Sequence, residues 1–144
     1  MHVSELLLNQ DKDLVTIHAE ATAAKAVAVL NENDIGAMPV CDLDGGLVGI
    51  ISERDIVRGL SKSVSGLNGL TVADLMTRKV FKCTSDEDVN DIMATMDDRH
   101  IRHIPVVEGE RLIAMVSSRD IMAAVLQDTK NHCKTLGLAY EMVR

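Results

Sequence analysis

The chain has 144 residues, 47% apolar and 26% charged, with 22 acidic against 15 basic side chains and a net charge of −7. That is the size of one ordinary globular domain, able to bury about two thirds of its unfolded surface and too rich in Val, Ile and Leu for disorder. With no Trp, one Phe (Phe81) and one Tyr (Tyr140), it lacks the aromatic platform of a single-strand nucleic-acid binder and must build an aliphatic, Met-assisted core.

The first residues, Met1 to Asn9, lack the charged start, long apolar run and small-residue cleavage site of a signal peptide. No apolar run approaches the ~18–20 residues that span a bilayer. Cys41, Cys83 and Cys133 are odd in number and widely spaced, with no Cys-x-x-Cys pair. Neither a disulfide framework nor a zinc knuckle is expected, and free thiols point to the cytoplasm. Cys41 and Cys83 lie in strand-like runs and are expected as small buried hydrophobes.

The chain repeats itself. Val3-Ser4-Glu5-Leu6-Leu7 recurs as Val72-Ala73-Asp74-Leu75-Met76, and Ile35-Gly36-Ala37-Met38-Pro39-Val40 as Ile101-Arg102-His103-Ile104-Pro105-Val106. Leu47 to Ile56 recurs as Leu112 to Ile121; the offset is 66 at the prolines and 65 at the aspartates, so one residue is lost in the turn between. Both prolines of the chain occupy equivalent places, which duplication explains.

In chain order, each copy opens with a short strand (Leu14 to Ile17; Val80 to Cys83). A helix follows, with an apolar face of Ala23, Ala26, Val27 and Leu30 or of Val89, Ile92, Met93 and Met96. Ser85 before Asp86, Glu87 and Asp88 predicts the second helix start. A strand at the Pro, a turn (Asp42 to Gly46; Glu108 to Glu110), a second strand (Leu47 to Ile51; Leu112 to Val116) and a helix from Ser52 or Ser117 complete the unit. The fold class is therefore α/β (α+β), two pseudo-symmetric β-α-β-β-α repeats: 1–65, then 71–128 after a Gly- and Ser-rich linker. Residues 129–144 form a helical tail, with Leu136, Ala139, Tyr140 and Val143 on one side, suited to a partner subunit or, more simply, to packing back on the domain.

Each copy places Ser-x-Arg-Asp where a strand becomes a helix: Ser52-Glu53-Arg54-Asp55 and Ser117-Ser118-Arg119-Asp120. A helix N-terminus presents unpaired N–H groups and a positive dipole end to an anion. A cap hydroxyl and an Arg fork suit phosphate, and an Asp one turn in suits a ribose diol. The competing reading is a capping box, worth about 0.5–2 kcal/mol of helix stability whatever binds. A capping box does not require the recurring Arg54 and Arg119.

These repeats, with Gly-Ile-Ile-Ser-Glu-Arg-Asp in one copy and Ala-Met-Val-Ser-Ser-Arg-Asp in the other, resemble a tandem pair of CBS (cystathionine β-synthase) domains in a stand-alone protein of bacterial type. The resemblance covers Val3 to about Gln127. In the second copy Ala114 replaces the motif's Gly and could narrow close approach of a ligand. The resemblance implies two clefts between the repeats binding AMP, ADP, ATP or another adenosyl ligand such as NAD. Asp55 and Asp120 would hold ribose hydroxyls, Ser52 and Ser117 would approach phosphate, and Met38-Pro39 and Ile104-Pro105 would flank adenine. Thr16 and Ser118 join these candidates. CBS pairs are commonly homodimers, and the helices carrying Val57, Leu60 and Ala123 to Val125 would bury well against a second copy.

Charge is uneven: residues 1–72 carry five basic and ten acidic groups, residues 73–144 ten and twelve. Arg78, Lys79, Lys82, Arg99, His100, Arg102 and His103 gather near strand ends of the second copy, and Arg102 and His103 replace Gly36 and Ala37. That face is expected to receive the anionic part of a ligand, unless it is a solvated face balancing Asp97 and Asp98. Asp42-Leu43-Asp44 with Glu53 echoes a calcium loop, but Gly and Leu stand at its fifth and sixth positions, so a hairpin turn is expected. His100 and His103 are too few for a metal site. No hydrolase triad, Walker loop or Rossmann loop occurs. The sequence thus points to a non-catalytic adenine-nucleotide regulatory module, with no nucleic-acid or membrane partner and an unidentified regulated protein. The alternative is a dimerisation module with degenerate clefts.

Overall fold

The alternation of short apolar runs with helical periodicity is realised, in the computed structural model, as α1 (Val3–Leu8), β1 (Ile17–His18), α2 (Ala23–Glu32), β2 (Ala37–Cys41), β3 (Leu47–Ser52), α3 (Glu53–Lys62), α4 (Val72–Leu75), α5 (Val89–Arg99), β4 (His103–Glu108), β5 (Arg111–Ser117) and α6 (Ser118–Val143). The structure describes residues 1–10 and 13–143, and the side chains among them apart from Ala139, Tyr140 and Val143.

The duplicated strands form two matching sheets. β2 and β3 pair antiparallel with Pro39 opposite Ile50, and β4 and β5 with Pro105 opposite Met115. Both hairpins shift register at the same place, Val40/Cys41 and Val106/Val107. β1 joins β2 in parallel, Ile17 against Val40, whereas the expected strand Val80 to Cys83 shrinks to a single parallel bridge between Cys83 and Val106. In the Asp42 to Gly46 turn, Asp42 Oδ1 accepts from the N–H groups of Asp44 (3.0 Å) and Gly46 (2.8 Å), and Gly45 takes φ 83°. This is a hairpin turn, as expected.

Packing does not follow the repeats as they are written in the chain. Val3 and Leu6 of α1 lie in the core of the second repeat, with Val89, Ile92, Met96, Ile104, Val106, Val116 and Ile121. Val72 and Met76, at α4, lie in the core of the first, with Ala26, Leu30, Met38, Val40, Ile51 and Ile56. Backbone bonds fix this exchange. The Val3 and Ser4 N–H groups donate to the Glu87 and Ser85 carbonyls (2.9 and 2.8 Å), and the Val72 and Ala73 N–H groups to those of Ala21 and Ala19 (2.8 and 2.9 Å).

The exchange also explains why α5 starts late. The Ser85 and Glu87 carbonyls bond to α1, so they cannot open a helical ladder; Asp88 is the N-cap, accepting from the Asn90 N–H, rather than Ser85. The acids before it serve a turn in which the Thr84 N–H donates to Glu87 Oε2 at 2.6 Å. In α2 the buried face is Ala23, Ala26 and Leu30, while Val27 stays partly in solvent.

The tail is not a separate short helix. It continues α6 without a break, and Leu136 and Leu138 remain exposed rather than packing back on the domain. The rest of its expected apolar side, Ala139, Tyr140 and Val143, falls outside the described side chains. Cys41 and Cys83 are buried and Cys133 is exposed. Burial pushes the Cys83 thiol up to about 12, so it behaves as a hydrophobe.

Candidate functional site

Duplication produces two clefts on either side of a pseudo-twofold axis, and each combines one repeat's Ser-x-Arg-Asp motif with the other repeat's leading segment. Cleft 1, about 520 Å³, is lined by Ser52, Arg54 and Asp55 at the start of α3, and by Thr77, Lys79, Phe81, Arg99 and Arg102 of the second repeat. Cleft 2, about 480 Å³, is lined by Ser117 to Asp120 at the start of α6, and by Asp13, Leu14, Val15, Asp34 and Pro39 of the first. Gly36, Ala37, Glu53, Arg102 and His103 border both.

The helix starts are built alike. The Glu53 N–H donates to the Gly36 carbonyl (3.0 Å) and the Ser118 N–H to the Arg102 carbonyl (2.9 Å). In the first motif the Ser52 N–H and hydroxyl donate to Asp55 Oδ2 (2.9 and 3.0 Å), and the Asp55 N–H donates back to Ser52 Oγ (3.2 Å). In the second, the Ser117 N–H donates to Asp120 Oδ2 and the Asp120 N–H to Ser117 Oγ, both at 3.0 Å. Both motifs are therefore capping boxes, and both face a cleft.

Asp55 has a further partner, the Thr77 hydroxyl, which donates to Oδ1 at 3.0 Å from the other repeat. Three of the roughly four acceptor positions of this carboxylate are thus occupied, and the carboxylate is held rigidly with capacity left on Oδ1. Thr77 is positioned by backbone pairing: its N–H and carbonyl bond to Ile50 at 2.8 and 2.9 Å. Gly49 makes that approach possible, because a Cβ there would stand 2.8 Å from the Thr77 carbonyl oxygen and 2.9 Å from Met76 Sδ. Gly49 thus serves contact between repeats, while its counterpart Ala114, where the expected narrowing would act, lines cleft 2.

Several expected site residues lie elsewhere. Met38 and Ile104 are 1% exposed and belong to the two cores, on the strand face that alternation turns away from the neighbouring prolines; Pro105, as buried as Pro39, is not among the residues lining either cleft. Thr16 is exposed and is not among the residues lining either cleft. Pro39 does line cleft 2. The apolar walls come instead from Leu14, Val15, Ile35 and Ile113 in cleft 2, and from Ile50, Val80, Phe81 and Ile101 in cleft 1. Of the basic cluster, Lys79, Arg99, His100, Arg102 and His103 reach cleft 1, while Arg78 turns to the Ala73 carbonyl. Lys79, Arg99 and His100 meet the first motif, with Arg54 and Arg58, while Arg102 and His103 border both motifs. Thr77, Glu53, Asp13 and Asp34 escaped the motif reading. Aligning the copies at 66 residues marks the last two, opposite Lys79 and His100.

His103 borders both clefts, near Glu53, Asp120 and Arg102. Burial pushes its imidazole below the usual histidine value, against the upward pull of the Asp120 and Glu53 carboxylates. Arg99 lies 4.8 Å and Lys79 5.9 Å from the Phe81 ring centre, so the aromatic face holds two cations at the mouth of cleft 1. No group of three or more His, Cys, Asp or Glu side chains that could hold a metal occurs among the described residues, and no helix among them is long and apolar enough to cross a membrane.

Two repeats with a Ser-x-Arg-Asp helix start, closing on paired clefts, define a tandem regulatory module, and the CBS-domain family model matches residues 3–62 and 72–127. The chain belongs to the CBS-domain family as a CBS pair. It is similar to hypoxic response protein 1 of Mycobacterium tuberculosis, 29% identical over 139 residues, spanning 92% of this chain and 95% of that protein. It is also similar to the crystal structure of a CBS-domain-containing protein from Agrobacterium tumefaciens, with TM-score 0.81 and 31% identity over 85% of this chain and 92% of that one. The CBS domain pair of protein MJ0100, in complex with 5′-methylthioadenosine and S-adenosyl-L-methionine, superposes with TM-score 0.78 at 29% identity over 89% of this chain and 98% of that one. CBS-pair modules are generally regulatory.

Proposed function

We propose that this chain is a non-catalytic regulatory module that senses energy or redox state by holding an adenine nucleotide (AMP, ADP, ATP or NAD) in one or both clefts. The observation that carries the reading is the pair of clefts, each floored by a capped helix start whose Asp is oriented by its own capping box. In this reading Asp55 and Asp120 receive ribose hydroxyls. The helix N-termini, with Arg54 and Arg119 beside them, receive phosphate, and the apolar walls enclose adenine. The adenosyl compounds held by the MJ0100 pair support the ligand class. The capping boxes do not compete with this role, since a capped carboxylate retains acceptor capacity and loses little entropy on binding.

The module acts in the cytoplasm as a homodimer, and its ligand alters its hold on a regulated protein. Val57 and Leu60 on α3 and Met122, Val125 and Leu126 on α6 are exposed apolar side chains that a second copy would cover. That stripe also favours a second reading, a dimerisation module whose clefts stay unused. Thermal unfolding of the purified chain with AMP, ATP, NAD and S-adenosylmethionine separates the two. A ligand at 100 times its dissociation constant stabilises by about 2.7 kcal/mol, a rise of several degrees in Tm. No rise with any of them overturns the sensing function, and nucleotide recovered intact after incubation is the expected companion result.

A further inference from the structure

The two clefts are copies of one design whose charges have been reversed. Residues 66 apart occupy the same place in their respective clefts; Asp34 and His100, for example, both take a left-handed backbone, with φ 51° and 54°. At such places cleft 2 has Asp13 and Asp34 where cleft 1 has Lys79 and His100, while Gly36 and its counterpart Arg102 border both clefts. Arg58, which lines cleft 1, has Ala123 as its counterpart.

Among the described residues, cleft 1 is lined by five permanent cations (Arg54, Arg58, Lys79, Arg99 and Arg102) against Glu53 and Asp55, net +3. Cleft 2 has Arg102 and Arg119 against four carboxylates (Asp13, Asp34, Glu53 and Asp120), net −2. Like charge brought into a half-enclosed site of low dielectric is strongly unfavourable, and opposite charge favourable. A polyphosphate chain therefore fits cleft 1 and is repelled from cleft 2.

We propose that the clefts divide two classes of adenosyl ligand between them: cleft 1 takes a phosphate-bearing nucleotide, and cleft 2 takes an adenosyl compound without phosphate, neutral or cationic beyond the ribose. This rests on the reading that the clefts bind adenosyl compounds. With two different occupants, the module reports the ratio of two metabolite classes rather than the level of one. His103 and Arg102, which border both clefts, would feel both.

Isothermal titration of the full chain with ATP, adenosine and S-adenosylmethionine, singly and in the presence of one another, tests the division. ATP is expected to fill one site per chain, to weaken steeply as salt rises, and to leave the S-adenosylmethionine site open. Lys79→Asp with Arg99→Asn, both at exposed positions, should weaken ATP at least tenfold and S-adenosylmethionine less than twofold. Asp13→Lys with Asp34→His should do the reverse. One-for-one competition between ATP and S-adenosylmethionine, or equal loss of ATP in both double variants, overturns the division. If adenosine fills two equivalent sites and a triphosphate makes no difference, only the division fails. If none of the three binds, the adenosyl reading falls with it.

Discussion

Asp55 is at once the partner of a helix cap, a link between repeats through Thr77 and a wall of cleft 1. Its capping role is readable from the Ser-x-x-Asp spacing, since a capping box is purely local. The Thr77 bond is not, because the two residues are 22 apart and meet only through the Gly49 approach. His103 is a second residue whose role depends on its surroundings. Its folded-state value is depressed, so the unfolded chain takes up the proton first as pH falls. The stability this imidazole contributes is complete above the unfolded value, about 6.5, and declines as pH drops below it toward the folded value. Tm measured between pH 8 and 5 should fall more steeply in the parent protein than in His103→Gln. Parallel curves would remove the effect.

Periodicity located the helices well, and the misplaced boundaries have tertiary causes. α5 begins at Val89 because α1 takes the carbonyls that an earlier start would need. The strand expected from Val80 to Cys83 pairs only at Cys83, and Val80 and Phe81 wall cleft 1 instead. α6 runs for 26 residues, and its described side chains from Val125 onward are exposed. A long helix with few tertiary contacts depends on its own propensity, which is marginal in water. Ending the chain after Gln127 should therefore change the urea-unfolding free energy by less than about 1 kcal/mol. Loss of more than about 2 kcal/mol would show that the tail packs against something the single chain does not present.

At the scale of the molecule, each core is completed by the other repeat's leading helix. Deleting residues 1–9 removes Val3 and Leu6 from the core that holds Val89, Ile92 and Ile104, and leaves the other core's own residues untouched. The cost should be several kcal/mol, as for paired large-to-small core changes. It should appear as faster amide exchange in α5 before α2, although the deletion lies beside α2 in the chain. Faster exchange in α2 first would contradict the exchange of leading segments.

The sequence by itself determined the duplication, the α/β class, the helix-start motifs and their resemblance to CBS pairs, because these depend on local periodicity, capping and repeated residues. It also carried the charge reversal between Asp13 and Lys79, legible once the copies are aligned. Only the tertiary structure decided which repeat each leading helix completes, which prolines reach a cleft, and which motif meets the basic groups. Those outcomes depend on contacts between residues tens of positions apart. The same apolar and basic side chains would suit either repeat until Gly49, Thr77 and the α1 backbone bonds select one arrangement.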